Sequence, residues 1–163
     1  MDPMIKHCVG LWDSLDSNFW GFWQWVAAHL SPDEVGWQPV PQVASIGWNL
    51  QHLGEMLDYY LTYVFRQPGP VREVLPTMQS GSQDDGWFRD LAAIAAYHHQ
   101  VRPAFRNFLL SLRGADLDRA IERHGRGSIT YAWSIGHIAE HESYHLGKCT
   151  LLRSLLLARR ARE

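Results

Sequence analysis

Four stretches of this chain repeat apolar side chains at three- and four-residue intervals, with glycine and proline concentrated between them, and none shows the sustained alternation of a half-buried strand. That pattern predicts an all-α fold, a four-helix bundle. With 163 residues, 46% of them apolar, the chain can build one sizeable core and is short for two, so a single domain over residues 1–163 is expected. The first helix is predicted from about Val9 to Leu30, with Trp12, Leu15, Phe19, Trp23 and Val26 on one stripe and Trp20, Phe22 and Trp25 broadening it. Ser31-Pro32-Asp33-Glu34 has the form of a capping box with proline at the first helical position, a short turn before the proline-rich Trp37 to Pro41.

The second helix is predicted to start after Ser45 and to run to about Arg66, where Gln67-Pro68-Gly69-Pro70 ends it. The connection from there to Asp85 is long for a compact domain, and fits a crossover that lets helices two and three run the same way. The third helix follows Asp84 or Asp85 as N-cap and continues toward Arg113, with a kink at Pro103 and a stop at Gly114. A loop holding Gly125-Arg126-Gly127 leads into the fourth, from about Ser128 to Ala158.

A net charge of −2, with basic residues spread along the sequence, gives no electrostatic footprint for nucleic acid. The basic tail Arg159-Arg160-Ala161-Arg162 reads as favourable charge at a helix C-terminus. No apolar run approaches the roughly 20 residues of a membrane span, and the N-terminus lacks the pattern of a signal peptide. Neither nucleic acid nor membrane is an expected partner, and a cytoplasmic location is. Cys8 and Cys149 form no Cys-x-x-Cys pattern and are expected to be reduced thiols.

Chemistry concentrates in histidine. His137, His141 and His145 recur at every fourth position within Ile135 to Lys148, a spacing that lets neighbouring imidazoles on a helix aim at one ion. Three successive positions spread over roughly 12 Å of axis, so all three cannot serve one ion. A helical projection puts His141 and His145 on the arc of Ile138, Cys149, Leu152 and Leu156, with His137 at its edge. Glu142 directly follows His141, so the His-Glu-x-x-His order of metalloproteases is absent.

A third ligand must come from another helix. His52 is the strongest candidate, on a broad apolar arc with Trp48, Met56, Tyr59 and Tyr63, away from the polar face of Gln51, Asp58 and Thr62. His98, on the third helix's stripe, is either a fourth ligand or a buried histidine hydrogen-bonded across the bundle. His99 is expected to be exposed, and His7, His29 and His124 show no paired spacing. Glu55, one turn beyond His52, is read as solvated at the polar border, with a role as base or acceptor behind a ligand as the alternative.

Two segments, Ser45-Ile-Gly-Trp-Asn-Leu-Gln-His52-Leu-Gly-Glu-Met and His141-Glu-Ser-Tyr-His145-Leu-Gly-Lys148, resemble the motifs of the DinB-like superfamily, the DinB and YfiT four-helix proteins that include thiol-dependent transferases. The resemblance covers essentially the whole chain. It implies an up-down-down-up bundle, often dimeric, with a divalent metal such as zinc or nickel held by His52, His141 and His145. Many members carry Arg-Gly-Gln where this chain has Leu146-Gly147-Lys148, so a polar role of that arginine or glutamine does not transfer.

Three neutral imidazoles leave room for a water or substrate atom, as in a catalytic site. The expected activity is a metal-dependent transfer using a low-molecular-weight thiol on a small-molecule substrate. The alternatives are a metal-dependent hydrolase and a non-catalytic stress-response protein that binds metal or ligand in the same pocket. No protein nucleophile is identified. Glu55, His137 and Tyr144 are candidate proton-transfer or orienting groups. The tryptophan-rich first helix makes a homodimer plausible.

Overall fold

The computed structural model describes residues 1–67, 77, 87–122 and 127–162, with Trp87 described by its backbone alone. Helix α1 spans Pro3–Trp25, six residues ahead of the expected start, because Asp2 caps it by accepting the Met4 N–H at 2.8 Å and Pro3 occupies the first position. It ends at Trp25, short of Leu30, and a single 3-10 turn, Ala27–His29, follows. Helix α2 is the one-turn Pro32–Val35, closed by the expected Ser31–Glu34 capping box. Helix α3 spans Ile46–Tyr59, with the Ser45 hydroxyl accepting the Trp48 N–H at 3.1 Å. It continues as a widened π-helical turn, Tyr60–Val64, and closes at Arg66, whose φ is +56°.

Helix α4 spans Leu91–Ser111, its N-terminus capped by Asp90, and it passes through Pro103. The caps expected at Asp84 or Asp85, the Pro68-Gly69-Pro70 stop and the Gly125-Arg126 part of the next loop lie outside the described residues. A 3-10 turn, Gly114–Asp118, leads to a small hairpin in which β1 (Ala120–Glu122) pairs antiparallel with β2 (Ser128–Thr130), Ile121 opposite Ile129. The hairpin is a small addition to a chain that is otherwise helical, as expected. Three-residue strands are too short to show a two-residue period, and β2 takes the place of the first residues expected in the last helix. Helix α5 then runs Tyr131–Arg160, capped by Thr130.

Among the described residues, four long helices form the bundle, and their contacts give its directions. Arg102 meets Asp16 and Arg106 meets Asp13, so α4 runs against α1. Gly47 lies against Phe88 and Gly54 against Tyr97, so α3 and α4 run together. Asn49 meets His145, His52 meets His141 and Tyr60 meets His137, so α5 runs against α3. The order is up-down-down-up. Close packing against α3 needs its glycines: a Cβ at Gly47 would stand 1.7 Å from the carbonyl oxygen of Phe88, in the turn Trp87–Arg89 just before α4, and one at Gly54 2.9 Å from the Tyr97 ring of α4.

Two groups of buried side chains fill the interior. One gathers Ile5, Trp12, Leu57, Phe65, Phe105 and Tyr131, the other Phe19, Ile46, Leu50, Ile94, Cys149 and Leu152. Between them, α3 is enclosed so fully that Gln51 and Asp58, expected on a polar face, are 4% and 2% exposed. They are satisfied inside: Asp58 accepts the Tyr97 hydroxyl at 2.7 Å and Gln51 donates to Glu55 at 2.7 Å. No described helix is long and apolar enough to cross a membrane.

Candidate metal centre

Helix α3 presents Asn49 and His52 three residues apart on the side that faces α5, where the four-residue spacing stacks His141 and His145 one turn apart. The antiparallel crossing brings the two sets together. The ligand nitrogens of His52, His141 and His145 all lie within 4.8 Å of one another. His52 Nε2 and His141 Nε2 are 3.2 Å apart. Two imidazole nitrogens bound at about 2.0–2.1 Å to a tetrahedral ion stand about 3.3 Å apart, so this pair already has the spacing of a shared cation.

The outward-facing nitrogens are set by what lies behind the rings. Glu55 is fully buried, which corrects the expectation of a solvated carboxylate. Its two oxygens accept from Gln51 at 2.7 Å, from the Thr77 N–H at 3.0 Å and from the Thr77 hydroxyl at 2.5 Å. A hydroxyl that donates to a carboxylate has only lone pairs left for His52 Nδ1, 2.9 Å away, so Nδ1 carries the proton. His52 therefore turns a lone pair on Nε2 toward the triad.

Asn49 does the same for His145. Its amide donates to the Ser45 carbonyl at 2.7 Å, which leaves its oxygen to accept from His145 Nδ1 at 2.6 Å. Both rings are thus held with Nδ1 protonated and Nε2 free, the arrangement in which metal-ligating histidines are commonly fixed.

All three rings are held neutral. His52 is pulled down to about 3 by burial, then by the neighbouring His141 and Lys148. His145 falls to about 3 by burial, then by His141, His52 and Lys148, and His141 to about 4 by burial, then by His137 and Lys148. A buried imidazole that stays neutral well below pH 6 offers its lone pair to a cation without proton competition. The donor set and its spacing fit a divalent metal.

The remaining sequence candidates divide. His137 stands at the edge, 6.0 Å from His141 between ring centroids, stacked on Trp133 and 3.5 Å from Glu140. Tyr144 is exposed and meets His145 edge to face at 5.1 Å. His98 is outside the triad: it is buried, donates through Nε2 to the Leu50 carbonyl at 2.7 Å and lies 4.2 Å from Phe19. His99 is exposed and stacks on Trp20, His7 and His29 are exposed, and His124 lies outside the described residues.

Asn49 and Thr77, which hold two of the rings, are absent from the sequence-based set of candidates. Asn49 sits three residues before His52, where a residue paired to the same face could have been sought. Thr77 had no signal, since it belongs to the Pro-, Gly- and Ser-rich connection. Arg102 was missed too. Its guanidinium is buried between Trp12 and Phe19, at 4.7 and 4.1 Å, and binds Asp16 at 2.5 Å and both oxygens of Glu142 at 3.1 and 3.3 Å. Glu142, next to His141, thereby turns away from the triad into an ion pair that ties α4 to α5 and α1.

A family model described as the DinB superfamily matches residues 20–149. Among solved structures, a protein titled "conserved protein of locus from Enterococcus faecalis" superposes with a TM-score of 0.73 at 12% identity, covering 97% of this chain and 99% of that one. At that identity the likeness speaks for the fold alone. No curated protein matches the sequence.

Proposed function

Because this chain belongs to the DinB superfamily, we propose that His52, His141 and His145 hold a divalent metal, zinc or nickel, and that the protein transfers a low-molecular-weight thiol to a small electrophilic substrate. The observation that carries the reading is the cluster of three neutral imidazoles, two of them oriented by Thr77 and Asn49. When bound, a divalent cation there supplies a Lewis acid that favours the thiolate form of a thiol or the hydroxide form of a water. His52 and His145 keep their lone pairs aimed inward, and the stacked Trp48 ring, 4.5 Å from His52, shields that side from water.

A thiol from solution is favoured by what the chain lacks in reactive cysteine. Burial pushes the thiols of both Cys8 and Cys149 up, so neither is an activated nucleophile. His137 and Tyr144, at the outer edge, are the groups placed to accept or orient a proton as the new bond forms. A cytoplasmic location and a homodimer complete the proposal, the dimer supported by the exposed Leu151, Leu155 and Leu157 along α5 and tested by light scattering.

Metal analysis of protein purified without a histidine tag is the decisive experiment. One metal per chain, lost in His52→Ala, is the expected result, and fully active metal-free protein overturns it. A panel of electrophiles with and without added thiol then separates the chemistries. Turnover only with thiol supports the transferase, turnover without it a metal-dependent hydrolase, and ligand binding with no turnover a non-catalytic binding protein.

A further inference from the structure

Beside the triad lies a cation that no described carboxylate neutralises. Lys148 is half-buried on α5, seven residues beyond His141 and four beyond Tyr144, on the same stripe of the helix. Its ammonium rests 4.3 Å from the centre of the Tyr144 ring, the ring that meets His145 edge to face. The carboxylates around the site are engaged elsewhere: Glu55 with Gln51 and Thr77, Glu142 with Arg102, and Glu140 with His137.

A second, independent donor stands on the facing helix. Trp48 is 8% exposed, its ring lies flat on His52 and 6.1 Å from His145, and its indole Nε1 is buried with no hydrogen-bond partner among the described residues. A buried N–H left without an acceptor costs about 1–3 kcal/mol. The Lys148 ammonium has no carboxylate partner among the described residues, and one acceptor group with a negative charge answers both donors.

We propose that Lys148 and Trp48 form an anion-recognising wall of the metal pocket, and that the small molecule bound there, substrate or thiol, carries a carboxylate. One ammonium and one neutral N–H match a monoanion; a doubly charged phosphate would call for more positive charge. The inference rests on the metal reading above and adds the class of ligand. It gives Lys148, where the related motif carries glutamine, a role in selecting that ligand.

The test is calorimetric titration of the zinc-loaded protein with 3-mercaptopropionate and with the uncharged 3-mercapto-1-propanol, after metal analysis of the same sample. The carboxylate thiol is expected to bind about tenfold more tightly, the weight of one charge-assisted hydrogen bond. Lys148→Gln is expected to abolish that preference with metal content unchanged, Lys148→Arg to retain it, and Trp48→Phe, which keeps the stacked ring, to weaken it. Equal affinities for the two thiols in zinc-loaded wild-type protein overturn the inference and leave the metal reading intact. A preference that survives Lys148→Gln also overturns it, since the carboxylate then acts by chelating the metal. Failure to load metal overturns the metal reading and this inference with it.

Discussion

A histidine binds metal through one nitrogen, and the group behind the other decides which. At His52 that group is Thr77, fixed in turn by Glu55, and this chain of two hydrogen bonds makes a specific demand. Thr77→Val should weaken metal affinity roughly 10–100-fold while Thr77→Ser retains it, as measured by competition with a chromophoric chelator. Asn49→Leu should act similarly through His145. The same rings carry a pH signature. Their pKa values in the folded protein, about 3 for His52 and His145 and about 4 for His141, lie below the ordinary 6.5, so the unfolded chain binds more protons between those limits. Stability of the metal-free protein is therefore full above pH 6.5 and falls as pH drops toward 4; urea denaturation across that range should show the slope, flattened in His52→Phe. That His52, His141 and His145 come together was legible because helical spacing predicts which histidines share a face. Glu55 was not, since the residue that binds its carboxylate, Thr77, lies twenty-two positions away in a Pro-, Gly- and Ser-rich stretch of sequence without periodicity.

Helix ends show the same division between local and distant causes. The Ser31 box and the Ser45 cap act over three residues and are legible in the sequence, whereas α1 begins ahead of its apolar stripe because the Asp2-Pro3 pair caps it there. Inside the elements, Arg102 stands where three helices meet. Arg102→Met should cost about 3–5 kcal/mol in urea denaturation, because it strands the Glu142 carboxylate, which burial already pushes up and Arg102 holds down. Adding Glu142→Leu should recover most of the loss, since a desolvated pair can be replaced by apolar side chains at little net cost. Gly47→Ala tests the packing of α3 on the Trp87–Arg89 turn that leads into α4: its Cβ would collide with the Phe88 backbone, so the turn must move off the helix. A loss above about 2 kcal/mol is expected, against the small gain an alanine brings to an unobstructed helix.

Across the whole molecule, the long second connection already pointed to two neighbouring helices running the same way, and the up-down-down-up order makes that crossover a condition of the site. It sets α3 against α5, so that a histidine near residue 50 can meet a pair near residue 143. Holding one cation between these two helices would tie together residues 89 and 93 positions apart, a long-range link that the folded chain makes and the unfolded chain does not. Binding selective for the folded state stabilises it by about 2.7 kcal/mol at a free metal concentration a hundredfold above Kd. For a chain of this length each kcal/mol raises Tm by about 2–4 °C, so zinc or nickel should raise it by roughly 5–10 °C. Differential scanning calorimetry with and without metal checks the figure. His52→Ala and His145→Ala should each remove most of the rise, because two remaining imidazoles bind a divalent ion weakly. His137→Ala, at the edge of the cluster, should keep it, and an equal loss in all three variants would mean that His137 holds the ion as well.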